Sequence, residues 1–132
     1  MTALVLVTHE GLGTELVRIA GAITRRKLPV VVVPVSADDD PEDARRAVER
    51  ELSRFAHDAP PLVFSDLPGA TPHNVAAAAI AAACPHAPLV SGLSLPMLLR
   101  ALNHAGRPAA ELAGVAAEGA CRAASVGQRD DH

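Results

Sequence analysis

Four short aliphatic runs punctuate the chain: Ala3 to Val7, Pro29 to Val35, Pro61 to Phe64, and Ala87 to Val90. They are continuously apolar rather than alternating, the pattern of strands covered on both faces in a parallel sheet. The segments between them carry helical spacing. From Gly13 to Lys27, the residues Leu16, Val17, Ile19, Ala20 and Ile23 share a face, and Arg25, Arg26 and Lys27 suit the negative end of a helix dipole. Asp38-Asp39-Asp40-Pro41 offers an N-cap with proline at the first helical position. The helix that follows, Glu42 to Arg54, has Ala44, Ala47, Val48, Leu52 and Phe55 on its apolar side. The acidic run therefore reads as a capped helix start rather than a metal site. Pro72 to Ala83 is alanine-rich and nearly uncharged, which predicts a helix touched by neighbours on most sides. Further helices are predicted over Pro96 to Leu102 and from Pro108 to Cys121. Alternating strand and helix signals, with no repeat or linker, imply βαβ units with right-handed crossovers. The expected architecture is a three-layer α/β/α sandwich. One domain is expected over residues 1–122, with 123–132 as a polar tail that frays.

Composition narrows the function. A chain of 132 residues with 49% hydrophobic content builds a core without disulfide or metal staples. A net charge of −3 and only 2% aromatic residues provide neither a phosphate-neutralising surface nor a base-stacking platform, so nucleic acid is not an expected partner. No apolar run approaches the roughly 20 residues of a membrane span. Met1-Thr2-Ala3 leads straight into a strand-like run without the basic start of a signal peptide, so a cytoplasmic protein with no direct membrane insertion is expected. Cys84 and Cys121 are isolated thiols, read as buried or incidental. Six histidines remain to be explained.

In open parallel sheets, ligands gather beyond the carboxyl ends of the strands. Three segments occupy such positions: Thr8-His9-Glu10-Gly11, Ser65 to Pro72, and Ser91 to Pro96. His9 directly follows Leu4-Val5-Leu6-Val7, and Asp66 stands at the equivalent exit of the third run. If those strands are neighbours, the carboxylate can accept one ring N–H and leave the other nitrogen's lone pair free. That nitrogen serves as nucleophile, general base or metal ligand, so the pair marks a site better than a reaction. Asp66 also suits an Asx turn before Pro68-Gly69, and Thr71 before Pro72 suits a helix N-cap. Gly69, Ala70 and Thr71 can turn N–H groups and a hydroxyl toward an anion at that helix start. Asn74 either joins the cradle or is an ordinary first-turn residue.

Other motifs fall away. Gly11-Leu12-Gly13 resembles the start of a dinucleotide fingerprint, but Leu16 holds the third glycine position. There is no Walker lysine pattern, no nucleophile-elbow serine, no Cys-x-x-Cys and no helical histidine pair for zinc. His57, His86, His104 and His132 read as solvated; His73 does too, although it lies beside the predicted cradle.

The runs Leu4-Val-Leu-Val-Thr-His9 with Gly11, Ser65-Asp66-Leu-Pro-Gly69-Ala-Thr-Pro72-His-Asn74, and Ser91-Gly92-Leu-Ser-Leu-Pro96-Met-Leu-Leu99 carry a resemblance. Over nearly its whole length the chain resembles the mannose-family enzyme IIA domain of the bacterial phosphoenolpyruvate-dependent sugar phosphotransferase system. The resemblance implies a four-stranded parallel sheet in order 2-1-3-4, with catalytic His9 phosphorylated and Asp66 orienting it. It also implies phosphoryl-binding groups at Gly69, Ala70, Thr71 and Asn74, no metal, and no cofactor such as magnesium or ATP. The implied donor is the phosphocarrier HPr, and the implied acceptor is an enzyme IIB or a regulatory partner. Pro68 stands where family members often carry an aromatic, and Ser94 where they often carry Asn. No fused IIB, HPr or enzyme I segment is evident, so the chain looks like a stand-alone regulatory member, and the apolar helices suggest a homodimer. The C-terminal strand that longer relatives exchange across a dimer is not expected from the short polar run Arg122 to His132. The donor subunit of dihydroxyacetone kinase, with a related His-bearing domain, is a lower-ranked likeness. A metal-binding or small-ligand module using the histidines is the reading from a different class.

Overall fold

In the computed structural model, which describes residues 1–127, strands and helices alternate for most of the chain. The order is β1 (Leu4–His9), α1 (Leu12–Thr24), β2 (Val30–Val35), α2 (Pro41–Leu52), β3 (Leu62–Ser65), α3 (Thr71–Ala83), β4 (Leu89–Val90), α4 (Leu95–Asn103) and α5 (Ala109–Ala123). All strand pairs are parallel, in the order β2-β1-β3-β4. This matches the expected sheet. Leu4 to Thr8 are wholly buried because β1 lies between β2 and β3 with helices on both faces. Alternate residues feed two cores. Val5, Val7 and Val63 pack with Val48 and Leu52 of α2 and with Ala76 and Ala79 of α3. Leu4, Leu6, Leu62 and Phe64 pack against Ala20 of α1, Leu98 of α4 and Leu112 of α5. The three layers follow from this division, since a strand has only two faces to cover.

Pro34 sits within β2, opposite Thr8, which an edge strand tolerates because one row of its N–H groups has no strand to bond. The sequence places helix α2 well: Asp40 caps it by accepting the Glu42 N–H at 3.0 Å, with Pro41 at its start. Cys84 is buried in the α2/α3 core, and Cys121 is exposed.

Several local expectations are corrected. Helix α1 ends at Thr24, and Arg25 takes the left-handed conformation (φ 55°) after it, so the basic residues lie beyond its last turn. Helix α3 buries only one face. Val75, Ala76, Ala79 and Ile80 are covered, whereas Ala77, Ala78, Ala81 and Ala82 face solvent. Its alanines therefore reflect helix propensity as much as close packing. Thr71 is not an N-cap: that position belongs to Ala70, and Thr71 is the first helical residue. Helix α5 continues through Ala123, residues 124–127 have no regular structure, and the rest of the expected frayed tail, 128–132, lies outside the described residues. Among the described residues, no helix is long and apolar enough to cross a membrane.

Candidate active site

The chain runs out of β1 through α1 to β2 on one side, while β3 and β4 lie on the other. The carboxyl ends of β1 and β3 thus border the crevice where an open sheet holds its ligands. His9 is the last residue of β1. It is fixed there by its pairing with Val35 and by the next amide, Glu10 N–H, which donates to the Val35 carbonyl at 3.1 Å. Buried Thr8 secures the turn that follows: its hydroxyl accepts the Gly13 N–H at 3.0 Å and donates to the His9 carbonyl at 2.9 Å. Gly11, at φ 95°, makes the turn itself.

Gly13 has no room for a side chain. A Cβ there would stand 2.9 Å from Thr8 Oγ1 and 3.0 Å from Val32 Cγ1. Gly13→Ala is expected to destabilise the fold by about 1–3 kcal/mol through overpacking, more than the roughly 1 kcal/mol that helix propensity returns. A lowered urea midpoint at unchanged slope would show it.

Asp66, the first residue beyond β3, meets His9. Its Oδ2 lies 2.7 Å from His9 Nδ1 and accepts the His9 backbone N–H at 2.9 Å, while Oδ1 accepts the Leu67 N–H at 3.0 Å. Asp66 thus meets His9 through one oxygen and holds the local turn through the other. Burial works to raise its carboxyl pKa, but the backbone and side-chain donors of His9 together with a local backbone N–H outweigh it, holding the group below its ordinary value. Asp66 is thus ionised at neutral pH and can only accept. The proton between the two belongs on Nδ1, which leaves Nε2 of a neutral imidazole with its lone pair. The Asp66 side chain is 6% exposed and the His9 side chain 52%, so the anchor is covered and the ring is open to another molecule.

A cleft of about 360 Å³ opens beside the ring, lined by His9, Ser36, Asp39, Thr71 and Pro72 among others. Of the four residues assigned to a phosphoryl cradle, Thr71 shares this cleft. Asn74 lines the adjoining groove between α2 and α3, and its side-chain amide donates to the Gly69 carbonyl at 3.1 Å. Ala70 N–H is committed to the Leu67 carbonyl at 3.2 Å, and Gly69 turns the loop at φ 80°. Helix α3 starts without a side-chain cap, which leaves first-turn amides for an anion. Among the described residues, no three His, Cys, Asp or Glu side chains are grouped as metal ligands.

Sequence reasoning missed two contributors. Thr8 acts as a buried brace, and Ser65 Oγ lies 2.7 Å from His73 Nδ1. Ser94 caps α4 by accepting the Met97 N–H at 3.3 Å. His57 and His86 contact each other edge to face, 4.4 Å between centroids, on the loops that enter β3 and β4 at the opposite end of the strands.

The family model described as PTS system fructose IIA component (EIIA-man) matches residues 3–117. The chain belongs to this family. A phosphotransfer role in the sugar phosphotransferase system comes with that membership. The fold is shared with the mannose/sorbose specific IIA subunit of phosphotransferase system from Enterococcus faecalis, at a TM-score of 0.90 and 24% identity over 99% of this chain and 98% of that one. It is also shared with phosphotransferase system component EIIA from Streptococcus agalactiae, at 0.85 and 24% identity over 96% and 97%. The PTS IIA protein associated with the fucose utilization operon from Streptococcus pneumoniae is similar at 0.65 and 15% identity over 89% and 93%. At these identities the structural likeness is one of fold. No curated protein sequence matches. In this IIA chain, two of the three segments that carried the resemblance, those of His9 and of Asp66 to Asn74, meet at the crevice.

Proposed function

We propose that this IIA protein carries a phosphoryl group on Nε2 of His9, accepting it from phospho-HPr and passing it to an enzyme IIB or using it as a regulatory signal. The observation that carries the reading is the His9–Asp66 pair, with Nδ1 bound at 2.7 Å and the rest of the ring open. In-line transfer asks for a positioned nucleophile and for donors around the phosphoryl oxygens. The Nε2 lone pair forms the new N–P bond as the N–P bond of the donor breaks, and that bond's electron pair returns to the donor imidazole. The His9 ring gains positive charge because its Nδ1 proton stays in place. The Asp66 carboxylate stabilises that charge, and the α3 N-terminus with Thr71 stabilises the phosphoryl oxygens. Onward transfer reverses these movements.

Exposed Leu12 and Leu67 flank the two halves of the pair and support docking of a protein donor rather than enclosure of a small molecule. Of the two acidic residues near His9 that could steer a basic donor, Glu10 and Glu15, the second is held below its usual pKa by its hydrogen bonds from Arg18 and is engaged in that pair. Glu10 is left for that role. The same reading places the protein in the cytoplasm, and Ile23, 56% exposed on α1, supports a homodimer.

The test is incubation with phosphoenolpyruvate, enzyme I and HPr, followed by intact mass and site mapping. One acid-labile phosphoryl group on His9 is expected. No added mass, or a group mapped to another histidine, would sink the reading.

A further inference from the structure

We propose that His73 is a positioning residue, acting through Ser65 to hold Asp66 against the His9 imidazole. The inference rests on the reading of His9 as phosphoryl acceptor, and on a contact outside the His9–Asp66 pair. Ser65 is the last residue of β3 and is wholly buried, directly before Asp66 in the chain. Its Oγ lies 2.7 Å from Nδ1 of half-buried His73, in the first turn of α3. Among the described residues, Ser65 Oγ has no other partner. A buried hydroxyl needs an acceptor, and Nδ1 of a neutral His73 provides it, which places the His73 proton on Nε2.

The geometry gives this bond its leverage. Residues 66–70 form the loop between β3 and α3, exposed at Leu67, Pro68 and Gly69 and turned by the positive φ of Gly69. Within the loop, Leu67 N–H bonds Asp66 Oδ1 and Ala70 N–H bonds the Leu67 carbonyl, and the Asn74 amide reaches back from α3 only to Gly69, at the α3 end of the loop. The Ser65–His73 bond instead ties the two ends of the loop together across its base. The Ser65 backbone is already held, its carbonyl accepting the Leu93 N–H at 3.0 Å and its position paired with Val7. The side-chain bond adds α3 to that anchor and so fixes the direction in which Asp66 leaves the sheet. The two histidines then carry opposite tautomers. His9 keeps its proton on Nδ1 and frees Nε2 for attack, whereas His73 keeps its proton on Nε2 and uses Nδ1 as an acceptor.

The test combines two-bond ¹H–¹⁵N imidazole spectra of unphosphorylated protein with rates of phosphoryl acceptance from phospho-HPr. In wild type, the Nδ1–H form of His9 and the Nε2–H form of His73 are expected. In Ser65→Ala and His73→Leu, mixed tautomers at His9 and an about ten-fold lower acceptance rate, mainly in kcat, are expected. His73→Asn, whose side-chain oxygen falls near the place of Nδ1, should restore both readouts. The double variant should be no slower than the slower single one. A folded Ser65→Ala protein with unchanged His9 tautomer and rate would overturn the proposal, as would His73→Asn behaving like His73→Leu. If His73→Leu fails to fold, Ser65→Ala decides. If wild type accepts no phosphoryl group, the functional reading fails, and the spectra still decide whether His73 positions the pair.

Discussion

Replacing His9 with alanine is expected to reduce phosphoryl acceptance to background while leaving the fold intact. The side chain is half exposed at the end of β1, so its removal leaves no buried cavity, and the Thr8 brace and backbone pairing to Val35 remain. What disappears is the nucleophile, and no neighbour replaces it. The Nδ1 of His73 is engaged by Ser65 on the far side of the loop base. His57 and His86 lie on the loops that enter β3 and β4, and His104 precedes Ala105, whose carbonyl bonds Thr2 before β1, so all three sit at the amino end of the strands, away from the carboxyl ends of β1 and β3. The decisive measurement is radiolabel or mass transfer from phospho-HPr to the variant, with circular dichroism to show retained structure. Acceptance above a few per cent of wild type would mean that the phosphoryl group resides elsewhere.

The fold was largely legible because β1 and β3 declare themselves by unbroken aliphatic runs, and because Asp40-Pro41 and Pro96 mark helix starts by local chemistry. Four-stranded parallel order required more: it came from the three motif segments, since periodicity says which residues are buried and not which strands adjoin. Local signals failed where tertiary geometry decided. Thr71-Pro72 has the composition of a capped start, yet the chain enters α3 one residue earlier, which leaves Thr71 as a first-turn residue lining the His9 cleft. The basic run after α1 reads as a helix end until Arg25 turns left-handed. The site divided in the same way. His9 and Asp66 were visible from their positions after strands, because adjacent strand exits must converge. The Ser65–His73 bond was not visible, since a serine closing an apolar run and a histidine opening a helix are each unremarkable until packing brings them to 2.7 Å.

Asp66→Asn is expected to lower the rate of phosphoryl acceptance by about 10²–10⁴-fold with little change in HPr binding, because it alters a tautomer rather than a surface. The substitution keeps the size of the side chain and, with its one amide oxygen toward Leu67, can preserve the bond from the Leu67 amide, while its NH2 group replaces the oxygen that accepts from His9. It removes the carboxylate that holds the proton on Nδ1 and that faces the positive charge of the phosphorylated ring. The imidazole can then place its proton on Nε2, where it blocks attack. A fall in kcat with KM nearly unchanged would support this account, and an equal loss through KM alone would contradict it. The same carboxylate leaves a signature in stability. Its folded pKa lies below the ordinary 3.8, so the stabilisation it supplies is fully present above that value. It is lost as pH falls through the lower folded pKa, because the unfolded chain takes up the proton first. The wild-type advantage in Tm over Asp66→Asn should therefore shrink as pH falls below the ordinary carboxyl range. An advantage that stayed unchanged on acidification through and below the ordinary carboxyl range would show that Asp66 is not held as an anion in the folded protein.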